Sequence, residues 1–272
     1  MSSQKVRLAP PALWGVVLSV MVVLLSACAS TPPVALRGSG DLGVVIERAD
    51  GNVKVIETTG RSVLATVGGL GDLSHASVVF SRDGRYAFVF GRDGGLTKVD
   101  LLERRIAGRV VQAGNAIGGS ISHDGSLVVV QNYEPGGIKA FDASTLELVA
   151  DIPATPLADG SRNSRVVGVI DVPGRRFIYS LFDTDETWLL DFSQGNEPQI
   201  TRFEGIGRQP YDALLTPEGR YYIAGLFGED GLALIDLWNL DKGSRKILSG
   251  YGRGEQPLPV FKMPHLRGWS VA

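Results

Sequence analysis

Few side chains in this sequence are equipped for chemistry. The 272 residues include 3 histidines, His75, His123 and His265, and a single cysteine, Cys28. A neutral imidazole can ligate iron, and a guanidinium fork matches a carboxylate with two parallel hydrogen bonds. Arg92 lies in the turn Gly91-Arg92-Asp93-Gly94, and Arg165 stands just before the apolar run Val166 to Ile170. Tyr133 and Tyr211 also fall at expected strand ends, with Asn132 and Asp212 beside them. Brought together, His75, Arg92, Tyr133, Arg165, Tyr211 and His265 suit a planar ligand that is multiply anionic and carries a metal. Each has a plainer explanation when taken singly. His75 can be a satisfied polar residue at a strand end, Arg92 a solvated turn residue, and Arg165 the partner of Asp183 or Asp185. His123 reads as a surface turn histidine.

Only a particular architecture brings such distant residues together, and the sequence contains its signature, an internal period. Four segments share a turn ending in glycine: Ser81-Arg82-Asp83-Gly84, Ser122-His123-Asp124-Gly125, Asp171-Val172-Pro173-Gly174 and Thr216-Pro217-Glu218-Gly219. Their glycines are 41, 49 and 45 positions apart. A strand, a second Gly/Asp-rich turn and another strand follow each one, closing on Asp100, Asp142, Asp191 or Asp236. The step from turn glycine to closing aspartate is 16, 17, 17 and 17 residues. Runs such as Tyr86 to Phe90 and Leu127 to Val130 are rich in β-branched and aromatic residues, and helical periodicity is missing. Four short antiparallel strands repeated every 40 to 45 residues indicate an all-β fold, a β-propeller, with a β-sandwich as the fallback.

In an up-and-down blade, the start of the innermost strand and the loop between the second and third strands lie on one face of the disc. That rule puts His75, Arg92, Asn132, Tyr133, Arg165, Tyr211, Asp212 and His265 on one face and His123 on the other. Gly43 to Glu57 reads as a strand pair, four full units follow, and Leu237 to Ala272 reads as the start of a further unit. At roughly 45 residues per blade, residues 28–272 make about five to six blades, and the pattern stops in mid-strand. The chain therefore reads as C-terminally truncated.

Composition and failed motifs remove other classes. A net charge of −2 with 44% hydrophobic residues excludes a disordered tail and a nucleic-acid binder. A lone cysteine excludes zinc–thiolate sites and disulfide scaffolds. Gly38-x-Gly40-x-x-Gly43 matches the dinucleotide fingerprint in letters, but a Pro-rich stretch precedes it and the β-branched run Val44 to Ile46 follows, where a helix is needed. No Gly-x-Ser-x-Gly nucleophile elbow is present.

At the N-terminus, Lys5 and Arg7 precede an apolar run from Ala12 to Leu25, short for a spanning helix but suited to an export signal. The run ends in Leu25-Ser26-Ala27-Cys28, which resembles the bacterial lipobox. Residues 1–27 are expected to be a lipoprotein signal peptide, with Cys28 the lipidated residue and 28–40 a Pro/Gly-containing tether. Ala29 follows the cysteine in place of the Asp that marks inner-membrane retention. The expected location is the periplasm, held by a lipid anchor, with the outer membrane as its support.

The segment Ser74-His75-Ala76-Ser77-Val78-Val79-Phe80-Ser81-Arg82-Asp83-Gly84-Arg85-Tyr86-Ala87-Phe88-Val89-Phe90-Gly91-Arg92-Asp93-Gly94 is more specific. It resembles the haem d1-binding propeller family of cytochrome nitrite reductase, and most closely the branch that takes part in haem d1 biosynthesis. The likeness runs from about Asp41 to Ala272 and includes Pro210-Tyr211-Asp212 and Lys262-Met263-Pro264-His265-Leu266-Arg267-Gly268-Trp269. No Cys-x-x-Cys-His motif is present, which separates it from relatives carrying haem c. The resemblance implies an eight-bladed disc in the full family and a central pocket for haem d1 or its precursor. It implies that His75 is the proximal iron ligand, that Arg92 and Arg165 meet the macrocycle's carboxylates, and that Tyr133, Tyr211 and His265 also contact it. The implied role is a late step of haem d1 assembly in support of denitrification, with nitrite reductase and other assembly proteins as partners. Either oxidative modification of a tetrapyrrole side chain or non-catalytic carriage of the cofactor fits that role. A propeller used only as an interaction scaffold would bind no haem.

Overall fold

The computed structural model describes residues 38–250. They form five antiparallel sheets. The first contains β1 (Leu42–Glu47), β2 (Asn52–Glu57) and β3 (Ser62–Val67); the second contains β4 (Ser77–Phe80), β5 (Tyr86–Phe90), β6 (Gly95–Asp100) and β7 (Arg105–Val111). The third sheet is built from β8 (Asn115–Ile121), β9 (Leu127–Glu134), β10 (Gly137–Asp142) and β11 (Leu148–Ile152), and the fourth from β12 (Val166–Val172), β13 (Arg176–Leu181), β14 (Glu186–Asp191) and β15 (Gln199–Phe203). The last holds β16 (Pro210–Leu215), β17 (Tyr221–Leu226), β18 (Leu232–Asp236) and β19 (Ser244–Ile247). Each sheet is a simple meander, and β4, β8, β12 and β16 neighbour one another in succession. These are the blades of a β-propeller, with β4, β8, β12 and β16 as innermost strands.

Strand chemistry explains the stacking. Successive side chains of a strand point to opposite faces. In β5, Ala87 and Val89 pack with Val53 and Val55 of the first sheet, whereas Phe88 and Phe90 pack with Val128 and Val130 of the third. Likewise β13 sends Phe177 and Tyr179 towards the third sheet and Ile178 towards the fifth. A middle strand is thus sandwiched on both faces, and its sequence is apolar throughout instead of alternating.

The repeated turns have a local cause. Gly84, Gly125, Gly174 and Gly219 all have positive φ, from 69° to 90°, which a residue with a Cβ adopts at a cost. Ahead of two of them a serine–aspartate pair holds the turn: Ser81 Oγ donates to Asp83, and Ser122 Oγ donates to Asp124. The closing aspartates end the third strand of each sheet and accept backbone N–H groups of the next turn. Asp100 takes Leu102 and Glu103, Asp142 takes Ser144 and Thr145, and Asp191 and Asp236 take Ser193 and Trp238. Buried Asp100 and Asp236 also carry two-pronged pairs with Arg85 and Arg220.

The first sheet departs from expectation. Gly43 to Glu57 reads as a strand pair, yet Ser62–Val67 adds a third strand. Its three strands correspond to the second, third and fourth strands of the other sheets. A Cβ on Gly51, between β1 and β2, would lie 2.7 Å from Gly71 O, beyond β3. Gly94 and Gly137, which join second to third strands, face the residues beyond the fourth strand, Ala113 and Ala154, in the same way. Glu57, 3% exposed, occupies the closing-aspartate position and accepts from Gly60 N–H at 2.5 Å. Among the described residues, this sheet has no innermost strand. At the other end, Ser244–Ile247 is the outer strand of the fifth sheet, not the opening of a new unit. Cys28, the signal segment and most of the tether lie outside the described residues, as does His265.

Candidate functional site

The innermost strands surround a central cavity of about 490 Å³. His75, Ala76 and Ser77 contribute to its wall from the start of β4, Ile117 to Gly119 from β8, Gly168 to Ile170 from β12, and Tyr211 to Ala213 from β16. Arg48 and Gln131 complete it. Three of the four inner strands lose regular pairing at this wall. The ladder slips at Ile117 in β8, at Gly168 and Val169 in β12, and at Tyr211 and Asp212 in β16. A bulge releases backbone groups and re-aims side chains, so the wall differs from blade to blade although the blades repeat.

Two details hold this geometry. Gly168 has φ +62°, and a Cβ there would lie 2.5 Å from Tyr211 O, so glycine lets β12 approach the irregular stretch of β16. The Val169 N–H, freed from its ladder, donates to Gln131 Oε1 at 3.0 Å. Gln131, on β9, is 9% exposed. With its carbonyl end fixed by a backbone donor, its amide NH2 lies on the opposite side of the group.

Above the cavity, an aromatic and basic cluster continues the same face. Tyr133 and Tyr211 share a hydroxyl–hydroxyl bond of 3.0 Å. The Arg92 and Arg165 guanidinium carbons lie 5.7 and 5.6 Å from the Tyr133 ring centroid. Arg165 also sits 4.5 Å from the Phe182 ring, which packs edge-on against Tyr211 and Phe227. Asp183 fixes this arginine through Nε at 3.0 Å and Nη2 at 2.6 Å, and accepts from Arg162 as well. Burial would raise the Asp183 pKa, but the hydrogen bonds from Arg162 and Arg165 outweigh it and hold the carboxyl well below the usual range. The Tyr133 phenol moves up, chiefly through burial and then through its bond to Tyr211, against the opposing pull of Arg165 and Arg92.

The structure brings His75, Arg92, Tyr133, Arg165 and Tyr211 to one end of the ring; His75 and Tyr211 line the cavity, and the other three form the cluster beside it. His123 is exposed in the β8–β9 turn at the opposite end. Asn132 and Tyr133, expected just after a strand ending at Val130, belong to β9, which runs on to Glu134. Tyr211 and Asp212 lie within β16 at its bulge instead of ahead of the strand. Of the partners open to Arg165, Asp183 is the one that binds it. Sequence reasoning missed Arg48 and Gln131. Arg48 had a signal: like Arg92, it belongs to a four-residue turn between second and third strands that closes on Asp-Gly, Asp50-Gly51 in one and Asp93-Gly94 in the other. Gln131 had none, because a glutamine inside the apolar run of β9 does not announce which bulge it serves. Among the described residues, no group of three or more His, Cys, Asp or Glu side chains is placed to hold a metal ion.

A model of the family described as "Cytochrome D1 heme domain" matches residues 37–272. The chain belongs to the cytochrome d1 haem domain family. Among curated relatives of this d1 domain, it is 78% identical over 251 residues to Protein NirF of Stutzerimonas stutzeri, covering 92% of this chain and 63% of that protein. It is 64% identical over 253 residues to Protein NirF of Pseudomonas aeruginosa, covering 93% and 64%. The chain thus spans a little under two thirds of the length of these relatives. Among solved structures, the d1 domain of this chain resembles dihydro-heme d1 dehydrogenase NirN in complex with DHE. The TM-score is 0.69 at 28% identity, over 83% of this chain and 48% of that one.

Proposed function

We propose that the chain binds haem d1 or its immediate precursor in the central cavity and serves a late step of haem d1 biosynthesis. The observation that carries this reading is the convergence of His75 and Arg48 on one cavity wall, with Arg92 and Arg165 beside it, in a chain of the d1 haem domain family. The wall suits a flat ring. Glycines 118, 119 and 168 keep it free of side chains, and a Cβ on Gly118 would fall 3.0 Å from Ser77 Oγ and 3.2 Å from Gln131 Nε2. His75 would hold the iron through its imidazole. Arg48 and Arg92 would meet the ring's carboxylates, while Arg165, already held by Asp183, would offer its face more than its fork. When bound, the tetrapyrrole supplies redox-active iron and a conjugated ring. The chain's own share is to orient that ring, exclude water from its inner edge and place Asp212, the one carboxylate among the described wall residues, beside it as a proton acceptor.

In this reading the protein is periplasmic, tethered through a lipid on Cys28, and works with nitrite reductase and other assembly proteins in denitrification. A second reading, carriage of the cofactor without altering it, draws support from a wall with one histidine and one carboxylate among the described residues and no further acid–base pair. Titration of the protein with haem d1, followed by visible absorbance for wild type and His75→Ala, tests the site. A spectral shift in wild type that His75→Ala abolishes or alters is expected; no shift, or the same shift in both, removes His75 from the iron. Mass analysis of the tetrapyrrole before and after incubation separates the two roles, with an unchanged mass assigning the carrier.

A further inference from the structure

We infer that Gln131 is a specificity contact of the cavity: its side-chain amide donates a hydrogen bond to an acceptor oxygen, carbonyl or carboxylate, on the periphery of the bound tetrapyrrole. The inference rests on the cavity reading above and adds a named contact to it. Three observations meet at this residue. Gln131 is nine-tenths buried yet forms part of the cavity wall. Its Oε1 is committed to the Val169 N–H at 3.0 Å, a donor that the β12 bulge has released and that needs an acceptor. That bond fixes the orientation of the amide and leaves both Nε2 hydrogens on the far side. The space in front of Nε2 is open because residue 118 is glycine, whose Cβ, were there one, would stand 3.2 Å from Nε2 and 3.0 Å from Ser77 Oγ.

The amide nitrogen faces the open cavity with its carbonyl already engaged, so a ligand that fills the cavity displaces the water in front of it and must offer an acceptor in return, or the hydrogen bond is lost. The arrangement makes sense if the ligand presents an oxygen at this height of the channel, with the Ser77 hydroxyl next to it. The bulge at Ile117 contributes as well: it offsets β8 so that Gly118, not a side-chain-bearing neighbour, lies opposite Gln131. A ring bearing only alkyl groups on this edge would leave the amide unpaired and be rejected by the same physics that rejects a substrate lacking a hydrogen-bonding group.

The test is a visible-absorbance titration of the full chain with haem d1, comparing wild type, Gln131→Glu, Gln131→Met and His75→Ala. Gln131→Glu keeps an oxygen for the Val169 N–H while replacing the donor by an acceptor, so it isolates the proposed contact from the wall's own integrity. Expected is a loss of affinity of roughly 10-fold in Gln131→Met and more in Gln131→Glu, with band positions unchanged because the iron ligand is untouched. The deficit of Gln131→Glu relative to wild type should shrink as pH falls and the new carboxyl gains a proton to donate. Binding by both variants within twofold of wild type, or a Gln131→Glu deficit that ignores pH, overturns the inference. Failure of the wild type itself to bind would instead overturn the cavity reading on which it stands.

Discussion

The hydroxyls of Tyr133 and Tyr211, 78 residues apart in sequence, meet at 3.0 Å. Tyr133 comes from the second strand of the third sheet and Tyr211 from the bulged inner strand of the fifth, so the bond spans the intervening sheet at its upper end. It couples the cavity wall, which includes Tyr211, to the cationic cluster that flanks Tyr133.

The Tyr133 phenol, raised chiefly by burial and next by that bond, has an alkaline signature. The Tyr133 phenol titrates above the ordinary 10.0, so the folded protein keeps a proton that the unfolded chain gives up. Its contribution to stability is complete below about pH 10 and is lost as pH rises towards the folded value. Tyr133→Phe should cost about 1 kcal/mol near pH 7 and should remove that part of the loss above pH 10. Urea midpoints at about pH 8 and about pH 11 measure both; an unchanged alkaline slope in the variant would refute the assignment.

Asp183 carries the acid counterpart. Because its folded pKa is depressed, its stabilisation is present above the unfolded value near 3.8 and disappears as pH falls below it. Asp183→Asn leaves Arg165 and Arg162 without their carboxylate and should cost on the order of 2 kcal/mol at neutral pH. The variant should also lose less stability than wild type between about pH 5 and pH 2. Parallel acid denaturation curves would contradict this.

Gly168→Ala tests the backbone of the wall. The added methyl meets Tyr211 O at 2.5 Å in a conformation, φ +62°, that L-residues adopt with strain. We expect a destabilisation of about 2 kcal/mol or more, together with weaker tetrapyrrole binding. Thermal unfolding reads the first and titration the second; a variant as stable as wild type would mean that β12 can shift without cost.

Arg48 is exposed at the cavity mouth, and its hydrogen bond from Nη2 to Ala76 O, at 3.5 Å, is long. Arg48→Gln should therefore leave the unfolding free energy within about 0.5 kcal/mol of wild type. Affinity for an anionic ring should fall a few-fold and depend less on salt, because the lost attraction is the screened kind. Isothermal titrations at low and high ionic strength decide it, and an unaltered salt dependence would show that Arg48 meets no ligand charge.

Much of the fold was readable in the sequence because its cause is local. The turn glycines need positive φ and the closing aspartates bind the next turn's N–H groups, so both recur at nearly fixed spacing. The placement of Arg92 and Arg165 followed from strand counting within a blade. What escaped is what depends on strand register and on contacts between residues distant in sequence. The true rank of β1 to β3 shows only in which residues face Gly51 and Gly94. The bulges at Ile117, Val169 and Asp212 change register without changing the apolar pattern, and Gln131 matters only once the Val169 N–H is known to lack a ladder partner.

The slipped ladders divide the labour of the cavity. Its contour is drawn by main-chain offsets and by glycines, where an added methyl would collide with a neighbour, whereas its chemistry rests on a handful of side chains whose exchange leaves those offsets in place.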